Sequence, residues 1–353
     1  MKILIAGGAG FIGSSVCLKL KEKYPNYTIV AFDNLKRRGS ELNLPDFQKN
    51  GIEFIHGDIR NIEDLNAAGS FDVLIEASAE PSVMAGLDTD PTYIINNNLY
   101  GSINCFNVCL KNKAKIIFLS TSRVYPIDKI ENANFIEEET RFSFSKDQNE
   151  TGISNIGISE SLSLFGARSF YGATKLSSEL FIQEYAQFYN LEAAVTRFGV
   201  IAGPRQMGKT DQGVVTLWML KHYWKQSLKY IGYGGLGKQV RDMLHIDDLI
   251  DLVDIQIHHI EKFKGKIYNA GGGLQTSASL LEMTAICEKI TGNKIKIDSE
   301  LQNRPADLRI FITDNSKIEN EISWKPKRGV ENIFTDIFNW IKQNEEQLKA
   351  ILK

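Results

Sequence analysis

Through Arg197 the chain alternates short apolar runs with stretches whose apolar positions recur at helical spacing. Lys2–Ala6 is an apolar run ending in glycines, and a helix-like stretch follows it through Leu20. The pattern predicts strands over Tyr27–Phe32 (closed by Asp33-Asn34), Gly51–His56, Phe71–Ala77, Lys115–Ser120 and Ala193–Arg197. Helices are expected at Ile62–Ala67, at Asn96–Asn112 and through Tyr171 and Lys175. Such alternation argues for an α/β fold, a Rossmann-type doubly wound parallel sheet buried on both faces. Pro126–Gly166 is polar and irregular, as an excursion over an active site would be. Beyond Ile201 the alternation weakens and glycines, aromatics and basic residues mix, which suggests a smaller C-terminal α/β substrate domain. Residues 1–200 are therefore expected to form one domain and 201–353 another, with 239–260 returning to pack on the first. No repeat and no low-complexity segment interrupts this reading.

Gly7-Gly8-Ala9-Gly10-Phe11-Ile12-Gly13 follows the first predicted strand and opens the first helix. In that context glycines permit a tight turn and let backbone approach a pyrophosphate at a helix N-terminus. Asp33 ends the second strand about 20 residues further on, where an acid accepts hydrogen bonds from an adenosine ribose. A carboxylate there repels a 2′-phosphate, so NAD is expected over NADP, a preference that Arg37 and Arg38 would soften. In His56-Gly57-Asp58-Ile59, Asp58 and Ile59 are candidates to grip the adenine, although an ordinary turn reads the same way. Far downstream, Tyr171 and Lys175 fall one helical turn apart on one face. Tyrosines lose their proton near about pH 10, and a nearby cation favours the phenolate. Beside Lys175, Tyr171 is thus a candidate base for a sugar or alcohol hydroxyl while hydride leaves for a nicotinamide. Tyr-x-x-x-Lys alone is common on amphipathic helices; behind such a glycine loop it carries weight.

Charge and composition narrow the partners. At 353 residues, with 43% hydrophobic and 24% charged residues, the chain suits a soluble globular enzyme of two domains or one large α/β unit. Its 41 Lys and Arg against 43 Asp and Glu leave a net charge of -2, so no global field attracts nucleic acid or anionic membrane. Cys17, Cys105, Cys109 and Cys287 include no Cys-x-x-Cys pair and read as small core residues in a reducing compartment. No metal site is expected. With a strand already starting at Lys2 and no apolar run of membrane-spanning length, a cytoplasmic protein is expected. His245 reads as part of a buried turn, His258-His259 as helix surface, and Trp218, Tyr223, Trp224 and Tyr230 as core.

These motifs resemble the extended short-chain dehydrogenase/reductase superfamily, the nucleotide-sugar epimerases and dehydratases. The resemblance spans nearly the whole chain through Gly7–Gly13, Asp33-Asn34-Leu35, Gly57-Asp58, Ser120–Tyr125, Tyr171–Lys175 and Arg241-Asp242. It implies that Thr121 hydrogen-bonds the reacting oxygen, Tyr171 is the general base and Lys175 holds the nicotinamide ribose. It further implies Gly7, Gly10, Phe11, Ile12, Gly13, Asp33, Asn34, Arg38, Asp58, Ile59, Ala77, Ser78, Ala79, Asn98 and Phe198 along the NAD. Pro81, Thr121, Arg123, Gln212, Gly213, Arg241 and Arg309 would meet the substrate, with the two later arginines clamping a pyrophosphate and Asp307 orienting one of them. The chain departs from common family patterns at Ala6, at Glu76 and Glu80, where His and Gln are commoner, and at Pro126.

Longer stretches are similar to the CDP-paratose 2-epimerase (CDP-tyvelose epimerase) group. They are Asp33–Leu44, Ser120–Pro126, Gly203-Pro204-Arg205-Gln206-Met207-Gly208-Lys209 running into Asp211–Val215, and Gly237–Asp242. Sugar dehydratases of the superfamily carry Asp-Glu directly after the catalytic Thr; here Ser122 and Arg123 stand there, and arginine cannot be deprotonated. The resemblance therefore implies epimerisation of a CDP-hexose at C2 with NAD retained, in a homodimer or homotetramer formed through Asn98–Leu110 and Ala173–Tyr189. Inversion at C4 of a UDP- or dTDP-hexose uses the same residues and stays open, as does a non-catalytic NAD-binding regulator.

Overall fold

The computed structural model describes residues 1–87, 89–208 and 212–352. Six strands in chain order are β1 (Lys2–Ala6), β2 (Thr28–Asp33), β3 (Glu53–His56), β4 (Val73–Glu76), β5 (Lys115–Thr121) and β6 (Ala193–Phe198). With Ile267–Ala270 they build a seven-stranded sheet in the order Ile267–Ala270, β6, β5, β4, β1, β2, β3. The registered pairs β1–β2, β2–β3, β1–β4 and β4–β5 are parallel. Alternate residues of β1 and β2 point to opposite faces, yet Ile3, Leu4, Ile5, Ile29, Val30 and Ala31 are all buried. Both faces are therefore covered, as a parallel sheet requires, and the fold is the doubly wound one expected. Strand order reverses between β1 and β4, so the carboxyl ends of β1, β2 and β4 meet where such sheets bind ligands.

Compactness divides the chain into two units: Met1–Thr121 with Phe170–Arg197 and Ile250–Ile267, and Ser122–Ser169 with Phe198–Leu249 and Tyr268–Lys353. This is not the linear cut after residue 200. The irregular stretch 122–169 groups with the second unit, and the returning piece is Ile250–Ile267 rather than 239–260. The returning helix, Ile246–His258, seats Gln256 on Thr196 Oγ1 at 2.7 Å and Asp254 on Lys23 at 2.7 Å.

In the first unit, α1 (Phe11–Lys23), α2 (Gly101–Asn112) and α3 (Phe170–Tyr189) pack beside the sheet. One core gathers Leu4, Val30, Phe32 and Phe118 of the strands with Phe106 of α2 and Ile182 of α3. The helix expected at Asn96–Asn112 begins earlier, at Thr92, and Asn96–Tyr100 forms a π-helical turn within it. Single π-turns of this kind recur at functional sites.

The second unit has its own layers. Val200–Ala202, Val240–His245, Ser277–Ser279 and Ile310–Phe311 form one sheet, with Val240–His245 paired to the other three. Helices Val214–Tyr223, Leu280–Thr291 and Val330–Gln343 close over Trp218, Met219, Met283, Cys287, Phe334 and Ile337. Trp218 stacks on Tyr230 at 6.4 Å, and Tyr223 and Trp224 pack on the same cluster, so these aromatics are core.

Helix α3 carries Tyr171 and Lys175, and its seat is polar. Glu179, fully buried, accepts hydrogen bonds from Arg197 Nη2 at 2.6 Å and Nε at 3.0 Å, and from the Ser120 hydroxyl at 2.5 Å. Because Ser120 precedes Thr121, this network ties the end of β5 to the helix. Removing one partner of a buried pair strands the other charge. We expect Glu179→Ala to destabilise the protein by about 3–5 kcal/mol, seen as a lower urea midpoint at unchanged slope; a loss under about 1 kcal/mol would contradict a dry pair.

Candidate active site

The loop after β1 is closed by backbone alone. Gly10 N–H donates to the Gly7 carbonyl at 3.0 Å, and Gly7 lies at φ +74°, left-handed backbone that favours glycine. A Cβ on Gly13 would stand 2.1 Å from the Gly7 oxygen, and one on Gly7 would meet Ser78 backbone at 2.7 Å. Glycine is thus required where α1 is pressed against the strand ends. Gly10 precedes α1 without a side-chain cap, which leaves the first N–H groups of Phe11, Ile12 and Gly13 for an outside acceptor.

Asp33 accepts from the Ala9 N–H at 3.1 Å and the Leu35 N–H at 2.8 Å. Burial raises its carboxyl above the usual range, opposed by those amide bonds. Asn34 donates to Asp58 at 2.9 Å, and Arg60 grips Asp58 at 2.6 and 2.9 Å. The Arg60 guanidinium holds the Asp58 carboxyl well below its usual range. Ile59 is buried, and a hollow of about 500 Å³ lies among Asp58, Arg60, Asn61, Asp64, Asn96 and Tyr100. A turn that admits only glycine, an acid ending β2 and a hollow beside Asp58 fit a dinucleotide.

The loop after β4 carries Ala77, Ser78, Ala79, Glu80 and Pro81. Buried Asn98, in the π-turn, clamps it: its Oδ1 accepts from Glu80 N–H at 2.7 Å and its Nδ2 donates to the Glu80 carbonyl at 2.9 Å. Asn98 thus has a backbone-holding task that sequence alone does not reveal. The deeper surprise is Lys175. Its ammonium is 2% exposed and lies 3.2 Å from Glu76 Oε2, itself 0% exposed, and 4.0 Å from the Phe118 ring centre. The Ser78 hydroxyl donates to the other Glu76 oxygen at 2.5 Å. Sequence flags Glu76 as unusual without disclosing its partner. Thr121 ends β5 buried, while Tyr171, half-buried, opens α3 one turn before Lys175. Arg38 lies beyond Leu35, whose own φ is +52°.

In the second unit, Arg123 donates to the Ala306 carbonyl at 3.1 Å. Arg241 donates to Asp307 at 2.7 Å and to the Leu308 and Val240 carbonyls at 2.6 and 2.7 Å, so Asp307 does orient an arginine. Arg309 lies 3.9 Å over the Phe135 ring and 5.4 Å from that of Tyr233. Gln212 is half-buried, Gly213 at φ +80° caps helix Val214–Tyr223, and Phe198 is buried at the end of β6. Lys209 and Asp211 lie outside the described residues. His245 accepts the Asp247 N–H at 3.0 Å, the buried-turn role expected of it. His258 contacts the Tyr27 hydroxyl at 3.0 Å. No cluster of His, Cys, Asp and Glu suited to a metal, and no helix long and apolar enough to cross a membrane, occurs among the described residues. All four cysteines are free and buried.

A family model described as the NAD dependent epimerase/dehydratase family matches residues 3–271. CDP-paratose 2-epimerase of Salmonella typhi is 30% identical over 348 residues, covering 96% of this chain and 99% of that protein. The bifunctional UDP-glucose 4-epimerase and UDP-xylose 4-epimerase 1 of Pisum sativum is 29% identical, over 97% of this chain and 96% of its own. Among solved structures, UDP-glucuronic acid 4-epimerase from Bacillus cereus, in complex with UDP-glucuronic acid and NAD, superposes with a TM-score of 0.78 at 25% identity. That match covers 97% of this chain and 99% of the other.

The glycine loop yields a test. Gly13→Ala forces its methyl onto backbone that cannot move aside, so NAD affinity measured by calorimetry should fall at least about tenfold; unchanged affinity would show that the turn relaxes.

Proposed function

The chain belongs to the NAD dependent epimerase/dehydratase family, and we propose on that premise that it inverts C2 of a CDP-linked hexose. It is an NAD-dependent nucleotide-sugar epimerase. The observation that carries epimerisation over elimination is Thr121 followed by Ser122-Arg123 instead of an acid pair, beside an intact Tyr171 and Lys175. Elimination needs groups that protonate and deprotonate carbon, and neither residue serves. The similarity to the Salmonella typhi 2-epimerase, at 30% identity over nearly the whole chain, supports the choice of base and carbon.

Bound NAD supplies reversible hydride acceptance, so the overall reaction changes configuration without net oxidation. Gly7, Gly10, Phe11, Ile12 and Gly13 would face its pyrophosphate, Asp33 its adenosine ribose, and Asp58 and Ile59 its adenine. The residues Asn34, Arg38, Ala77, Ser78, Ala79, Asn98 and Phe198 complete that assignment. Tyr171 takes the proton from the reacting hydroxyl and returns it to the same oxygen, so the phenol serves as base and then acid. Lys175 favours the phenolate and holds the nicotinamide ribose, and Thr121 donates a hydrogen bond to the sugar oxygen. In the second unit, Arg241, braced by Asp307, and Arg309 offer guanidinium groups to a diphosphate, with Arg123, Gln212 and Gly213 assigned to the sugar nucleotide; in the first unit, Pro81 is a candidate substrate residue.

The second reading is 4-epimerisation of a UDP- or dTDP-hexose, favoured by the similarity to the Pisum sativum enzyme. Assembly as a homodimer or homotetramer is supported by apolar side chains left exposed beside α2 and on α3: Tyr100, Leu180, Phe181, Phe188 and Tyr189. Work in the cytoplasm accords with free buried cysteines.

Purified protein incubated with CDP-paratose or CDP-glucose should give the C2 epimer by NMR, and silence with every CDP-hexose would sink the reading. Tyr171→Phe is expected to lower turnover by roughly 10²–10⁴. A thermal-shift panel of CDP, UDP and dTDP separates the two readings, because a ligand at 100 times its Kd adds about 2.7 kcal/mol. Stabilisation by UDP or dTDP with none from CDP would select the C4 reading.

A further inference from the structure

The carboxylate of Glu76 takes no part in the proton chemistry assigned to Tyr171 and Thr121, yet it meets the ammonium on which that chemistry leans. We propose that Glu76 is a positioning residue: it fixes the Lys175 ammonium and offsets part of that cation's field at the Tyr171 phenol. The inference rests on the roles given to Tyr171 and Lys175 above.

The geometry argues for it in steps. Lys175 and Glu76 are 2% and 0% exposed with N to O at 3.2 Å, so water screens neither charge. The Phe118 ring face, 4.0 Å away, attracts the ammonium but brings no countercharge. Ser78 binds the second carboxylate oxygen at 2.5 Å, so both oxygens are engaged and the group has one orientation. The Cys105 thiol of α2 also faces the pair and is pushed well up by burial first and then by Glu76 and Cys109. It stays neutral. Lys175 and Glu76 are therefore a cation and an anion in contact, and their combined field fades faster with distance than that of a lone ammonium.

The chemistry gives this damping a use. An epimerase must remove a proton and then return it to the same oxygen, so a phenol held too firmly as phenolate would be a good base and a poor acid. Glu76 sets the balance.

The test is Glu76→Gln, which keeps the shape and removes the charge. With the offset gone, the phenolate is favoured, and the acid limb of the kcat–pH profile should move to lower pH by roughly half a unit to one unit. Melting temperatures of the NAD-free protein supply a readout independent of turnover: Glu76→Gln and Lys175→Gln should each lower Tm, and the double variant should lose less than their sum. Should the Gln variant fail to fold, Glu76→His repeats the measurement with the commoner occupant of this position. An unmoved acid limb, or additive losses of Tm, overturns the role of Glu76 and leaves the proposed reaction standing. A wild-type protein that turns over no nucleotide sugar overturns the reaction, and this role with it.

Discussion

Helix α3 must place charged groups in a region without water, and much of the first unit is arranged to make that tolerable. Lys175 and Glu179 are one turn apart on its buried face, and each meets a fixed opposite charge: Glu76 at the end of β4, and Arg197 in β6. An unpaired charge at such burial is very costly, so the helix has one rotation and one height at which both are satisfied. Tyr171 inherits its position from that constraint. A helix fixed by apolar packing alone could slide by fractions of a turn at small cost; one fixed by two ion pairs cannot.

The same constraint links elements far apart in sequence. Ser120 shares Glu179 with Arg197, so the strand ending in Thr121 and the helix opening with Tyr171 answer to one carboxylate. The loop after β4 is held from two sides, by Ser78 on Glu76 and by Asn98 on the Glu80 backbone. What supports the first unit's candidate residues is a set of polar bonds, and apolar burial in Phe106, Phe118 and Ile182 surrounds it.

Much of this was legible in the chain because it is local. The glycine turn is written in adjacent residues, since only glycine tolerates the approach at Gly7 and Gly13, and Tyr171 and Lys175 share a face through helical geometry alone. Alternating apolar runs located six of the sheet's seven strands to within a residue or two at their ends, because burial on both faces leaves a continuous signal, while the edge strand Ile267–Ala270 went unread. The partner of Lys175 was illegible for the opposite reason: Glu76 lies 99 residues away, and no pattern in either segment names the other. Grouping of 122–169 with the second unit was likewise hidden, since Tyr125 is fixed by Asn269 and Arg123 by Ala306, contacts across more than a hundred residues. The arginines were readable as cations, whereas the aromatic bed under Arg309 was not.

The π-turn at Asn96–Tyr100 has a longer reach than its five residues. A π-turn amounts to one residue more than the α-helical path needs, and one residue is about 100° of rotation. It therefore acts as a phase shifter between the segment Thr92–Ile95 and α2. Asn98 can face the Glu80 backbone while Cys105, Phe106 and Cys109 still face the sheet, two demands that one uninterrupted helix would set at odds. In lineages of this fold, gain or loss of a single codon here would re-index the loop after β4 against the core, a cheap genetic route to retuning what that loop holds.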